Sequence, residues 1–155
     1  MGSFSDRQRR RPTAAVVVTK EQIGQVRDCF DAMRPLRREF AEEFYRRFFE
    51  LAPYARNMFA QDMEQQKLKL MDTIAALVGA LDNPEMFRSI IEQIGHQHAQ
   101  FGVTSSQLAA FGDALLWSLD RHFGASFTPE RRQAWAALYA AVQYDMVQAM
   151  AAEPR

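Results

Sequence analysis

Cysteine is almost missing from these 155 residues: Cys29 stands alone. That excludes an internal disulfide, and one cysteine with three scattered histidines lacks the clustered spacing of a structural zinc site. An excess of charge of either sign is also missing. Nineteen Lys and Arg balance nineteen Asp and Glu, which argues against a general nucleic-acid binder. No apolar run approaches the ~18 residues that a membrane helix needs. The first residues, MGSFSDRQRRRPT, hold no apolar core of signal-peptide type. Asp6 stands where the myristoylation pattern asks for Ser or Thr. A lone thiol without a leader makes the cytoplasm the expected compartment, with no membrane and no nucleic acid among the partners. Glycine and proline are scarce, seven and six, and several of them punctuate the chain at helix boundaries, while Gly79, Gly95 and Gly112 fall inside helical patterns. No segment alternates with period two, so no strand is expected.

What remains is helix. Hydrophobic residues make up 48%, enough for one packed domain of this length. Residues 1–18, with Arg7 and Arg9 to Arg11, read as a basic tail, and 19–155 as the domain. Thr19 and Gln22 have the spacing of a capping box, so a helix should open at Lys20. Pro35 interrupts it and can stand as the first residue of a second helix, which carries Phe40, Phe44, Phe48 and Leu51 on one face, with Tyr45 beside them. Pro53 ends that helix and opens a short turn. Asp62 caps a third, with a stripe of Leu70, Ile74, Leu77 and Leu81 that Gln66 extends by one turn. Asn83-Pro84 opens a fourth, Ser105 or Ser106 caps a fifth, and Thr128-Pro129 opens the last. The expectation is an all-α architecture of about six helices with short connections.

The most informative stretch is FRSIIEQIGHQHAQFGV, residues 87–103. Phe87, Ile91, Ile94 and His98 fall four, three and four apart, hence on one helix face, and Gly102 stops the helix. An imidazole on an apolar face needs a partner: it hydrogen-bonds within the core or it ligates a metal. His96 lies on another face and reads as a surface residue. His122 sits near a helix C-terminus, where it suits the dipole. The methionines read as gap-filling core. Taken singly, Tyr45 is a half-buried aromatic and Gln66 a solvated first-turn residue.

The combination is more specific. Phe59 follows Tyr45 by 14 residues, Leu70 follows Gln66 by one turn, and His98 follows Gln66 by 32. With MFAQDMEQQKLKLM, the run HAQFGV and the FTPE…AW…Y pattern of the last helix, the chain from about Thr19 to Met150 resembles the globins, in particular the single-domain haemoglobins of bacteria. The resemblance implies a globin fold of six to eight helices around haem b, iron protoporphyrin IX. It implies His98 as the iron ligand, Phe59 stacked on the porphyrin, Leu70 and Val103 lining the pocket, and Tyr45 and Gln66 facing the open coordination position. Lys69 is placed for a haem propionate, or is a plain solvent-facing lysine. Oxygen held in such a pocket carries partial negative charge, so two donors retain it. The implied function is reversible binding of O₂, with NO and CO as further ligands.

The flavohaemoglobins share this pocket but add flavin and nicotinamide domains and surround the proximal histidine with a tyrosine and a glutamate. Here those positions hold Leu108 and Met150, which cannot push electron density toward iron through the imidazole. That weakens a peroxidase-like reading. Two alternatives stand beside O₂ carriage: an NO dioxygenase served by a separate reductase, and a gas-sensing or interaction module. Monomer and homodimer are both open, since Trp135, Leu138, Tyr139 and Val142 give the last helix an apolar face.

Overall fold

The computed structural model describes residues 18–59 and 62–152. All but Val18 of the expected basic tail lies outside them. The described residues form six α-helices: α1 Lys20–Met33, α2 Arg37–Leu51, α3 Met63–Gly79, α4 Pro84–Gln100, α5 Ser105–Phe123 and α6 Pro129–Ala151. Short 3₁₀ turns at Arg34–Leu36, Pro53–Met58 and Gly124–Ser126 join some of them. No strand occurs among the described residues, and none of these helices is long and apolar enough to cross a membrane.

Local chemistry explains the boundaries. At α1 the Thr19 hydroxyl accepts from the Gln22 N–H at 3.1 Å while the Gln22 carboxamide accepts from the Thr19 N–H at 2.9 Å. The same reciprocal pair opens α5, formed by Thr104 and Gln107. The cap is therefore Thr104 and not Ser105 or Ser106, because only Thr104 has a glutamine three residues on to complete the box. Asp62, Asn83 and Thr128 cap α3, α4 and α6 through their side-chain oxygens. Pro35 does not begin α2 as expected. It sits inside the 3₁₀ turn, whose Arg34 carbonyl accepts from Arg37 N–H, and the α-helix starts only at Arg37.

The core forms where α2 lies against α5 and α3, and where α6 lies against α1, α4 and α5. Phe40, Phe44 and Phe48 of α2 meet Leu115 and Leu119 of α5 and Trp135 and Leu138 of α6, all buried. Tyr139 and Val142 pack against the same cluster, so the apolar face of α6 is used inside the molecule. By contrast α3 and α4 touch little, and an interior space opens beside them.

Two glycines in mid-helix make the close approaches of α6 possible. A Cβ on Gly95 would stand 2.6 Å from Ala149 Cβ, and one on Gly112 would stand 2.5 Å from the Tyr139 ring. That ring cannot swing away: it stacks on Phe111 at 5.9 Å, and its hydroxyl donates to the Leu108 carbonyl. Gly112→Ala is therefore expected to destabilise the fold by about 1–3 kcal/mol through overpacking. Gly24, whose Cβ would meet nothing, should gain about 0.5–1 kcal/mol on replacement by Ala from helix propensity. Urea unfolding of the two variants checks both signs.

Candidate functional site

One interior cavity of about 450 Å³ collects side chains from α2, α3, α4, α5, α6 and the turn before α3. It lies within the ~300–1,000 Å³ typical of small-molecule and cofactor sites. Every residue singled out from the sequence lines it: Tyr45 from α2, Phe59 from the turn, Gln66, Lys69 and Leu70 from α3, His98 from α4 and Val103 just beyond. Residues that share no sequence segment are thus gathered in one place.

His98 is half-buried near the end of α4. Its Nδ1 donates to the Ile94 carbonyl at 2.8 Å, since a carbonyl can only accept. That bond orients the ring and places the lone pair on Nε2. Burial first, and then the Lys69 charge, hold the imidazole below its ordinary pKa, while the bond to Ile94 acts in the opposite sense. The helix then closes with a Schellman pattern. Gly102, at φ +69°, lets its N–H reach the Ala99 carbonyl at 3.2 Å and the Val103 N–H reach the His98 carbonyl at 3.3 Å. Backbone and ring of His98 are both tied.

Tyr45 is buried, with its ring edge-on to Phe59 at 5.6 Å and to Phe44 at 5.1 Å. The Gln66 carboxamide donates to the Tyr45 hydroxyl oxygen at 3.1 Å. The phenol proton is left free to donate elsewhere, and so is the second amide hydrogen of Gln66. Burial pushes the Tyr45 hydroxyl up to about 12, the Gln66 bond opposing it only in part, so the phenol stays protonated at physiological pH. Lys69 is exposed and belongs both to this cavity and to the surface groove between α3 and α4, which places it at the mouth.

Leu108 and Met150 lie in one apolar cluster with Ile91 and Met146. The nearby hydroxyl of Tyr139 is engaged with the Leu108 carbonyl at 2.5 Å. Sequence reasoning missed Phe101, Phe111, Gln97, Gln143 and Tyr139 as lining residues. Phe101 was within reach, being three residues after His98 on the same helix face. Gln97 precedes His98 on α4, while Phe111, Tyr139 and Gln143 come from α5 and α6, whose rotation toward the cavity is a packing outcome.

Comparison with known proteins agrees with this geometry. The Globin family profile matches residues 42–146. The chain belongs to the globin family. It is similar to the flavohemoprotein of Bordetella pertussis, 32% identical over 122 residues, 74% of this chain and 30% of the relative. The flavohemoprotein of Rhizobium meliloti is 32% identical over 101 residues, 63% of this chain and 25% of the relative. The neuroglobin of Danio rerio is 24% identical over 139 residues, 81% of this chain and 87% of the relative. This globin therefore spans less than a third of the length of those flavohemoproteins, and most of the neuroglobin's.

A buried phenol favours the folded state only while it stays protonated. Tyr45 moves from 10.0 to about 12 on folding, and Tyr139 is also raised by burial. Their contribution is complete below pH 10 and is lost as pH rises from 10 through the folded values. The melting temperature of the apoprotein should fall across that window, and Tyr45→Phe should flatten part of the fall. Melting curves across the alkaline range, with phenolate absorbance followed in parallel, check it.

Proposed function

We propose that this globin binds haem b and reversibly takes up diatomic gases, O₂ first, with NO and CO as further ligands. The observation that carries the reading is the composition of one cavity: a single neutral imidazole with a free Nε2, together with a phenol–carboxamide pair that keeps donors unengaged. Among the described residues no three His, Cys, Asp or Glu side chains cluster as a site for a bare metal ion. A solitary imidazole instead suits a metal that arrives with four ligands of its own, as iron does in a porphyrin. The apolar lining and the size of the cavity fit the same group.

In this reading His98 holds the iron through Nε2, Phe59 and Leu70 pack against the porphyrin, Val103 lines the pocket beside His98, and Lys69 meets a propionate at the mouth. Haem, when bound, supplies a coordination position for a diatomic ligand. Tyr45 then donates its phenol proton to a polar ligand, and Gln66 fixes the orientation of that proton by occupying the phenol oxygen. A buried O–H beside a spare amide N–H would hold a polar diatomic ligand such as O₂ more strongly than the less polar CO. On the other side His98 has a backbone carbonyl as its partner, not a carboxylate, and Leu108 and Met150 offer no second acceptor. With only a carbonyl partner the imidazole would act as a neutral ligand rather than an imidazolate-like one, the character suited to holding a diatomic ligand reversibly.

A second reading, dioxygenation of NO with electrons from a separate flavin reductase, draws support from the similarity to flavohemoproteins. Sustained conversion of NO to nitrate with a supplied reductase would favour it, and a single turnover without regeneration would remove it.

The primary test is the visible spectrum of the purified protein, ferric, ferrous and with O₂ or CO. His98→Ala should abolish the Soret band on haem addition while leaving the helical circular dichroism unchanged; undiminished haem uptake by that variant would overturn the assignment. Tyr45→Phe should raise the O₂ dissociation rate about tenfold, the equivalent of ~1.4 kcal/mol, and change CO release less.

A further inference from the structure

Six large hydrophobic side chains among the described residues are exposed: Leu36, Leu51, Tyr54, Leu68, Met86 and Phe101. Phe101 is the one of these that also lines the interior cavity. The residue is 64% exposed although it lines an apolar chamber, and its backbone is not loose. The Phe101 N–H donates to the His98 carbonyl at 3.1 Å, and the next two N–H groups close the Schellman pattern onto Ala99 and His98. The backbone from which the ring projects is therefore set by the same hydrogen bonds that end α4, three residues beyond the imidazole, and Gly102 at φ +69° turns the chain away behind it. Exposure alone would be ordinary; what distinguishes Phe101 is that an exposed aromatic also lines an apolar cavity, so it is placed to cover an apolar group that fills that cavity.

We propose that Phe101 is a haem-retention residue: its ring covers the apolar edge of the bound porphyrin at the mouth and slows escape of the group. The proposal rests on the haem reading above. It assigns Phe101 a binding role separate from those of His98 and Phe59. Because the ring is exposed in the protein alone, its removal should leave the apoprotein's stability untouched and act only once haem is present. This separates a binding role from a structural one.

The test compares haem transfer from the wild-type chain, Phe101→Ser and Phe101→Leu to an excess of a colour-distinguishable apoglobin, followed in the Soret band, alongside urea unfolding of each apoprotein. Phe101→Ser is expected to lose haem about tenfold faster, ~1.4 kcal/mol in barrier height, with an unchanged urea midpoint. Phe101→Leu, which retains most of the apolar cover, should stay within about threefold of wild type. Loss of haem from Phe101→Ser at the wild-type rate would overturn the retention role while leaving the haem reading intact. A lowered apoprotein midpoint that accounts for the faster loss would overturn it as well. A wild-type chain that gives no Soret band would overturn both.

Discussion

The hydrogen bond from His98 Nδ1 to the Ile94 carbonyl is the interaction on which the site depends. It consumes one ring nitrogen inside the helix and thereby leaves the other, with its lone pair, for the cavity. Were the ring free to rotate, an apolar chamber lined by one imidazole would have no defined donor. With the ring tied, and with the last turn of α4 closed by Gly102 and the Val103 N–H, the lone pair is preorganised by the helix itself. The bond also identifies what His98 lacks. Its partner is a neutral carbonyl, and the Tyr139 hydroxyl is engaged with Leu108. The electronic character assigned to the site thus follows from which acceptors the backbone and the packing supply.

The Tyr45 and Gln66 pair shows a complementary economy. A buried phenol could accept, donate or do both. The carboxamide bond to its oxygen decides the direction, and burial keeps the proton in place. The aromatic cluster of Phe44, Phe48, Phe49 and Phe59 around Tyr45 holds the phenol still, so that a short polar pair reads out as one oriented donor within an apolar wall. Two glycines serve the same chamber indirectly. By letting α6 approach α4 at Gly95 and α5 at Gly112, they bring Tyr139 and Met146 to the cavity's inner wall.

Much of the fold was readable in advance because its signals are local. Capping boxes, cap-plus-proline pairs and a glycine after a helical face act through neighbouring residues, and the caps at Thr19, Asp62, Asn83 and Thr128 form as their spacing implies. The misreadings were local as well. At Thr104 the glutamine partner outranks the adjacent serines, and at Pro35 the chain takes a 3₁₀ turn before the helix begins. The gathering of Tyr45, Phe59, Gln66 and His98 was legible only as a resemblance, since nothing in residue spacing says that three helices converge.

The sequence by itself determined the helices, the imidazole of His98 on an apolar face and the scarcity of cysteine and histidine, because periodicity, capping and composition are properties of the chain before it folds. The tertiary structure alone decided that these helices enclose one chamber and that Gln66 bonds the Tyr45 oxygen. It also decided that the apolar face of α6 is consumed internally and that Phe101 stands uncovered at the mouth. Those outcomes depend on crossing helices and side-chain volumes meeting across long sequence separations, where the energy lies in the fit between surfaces and not in any one of them.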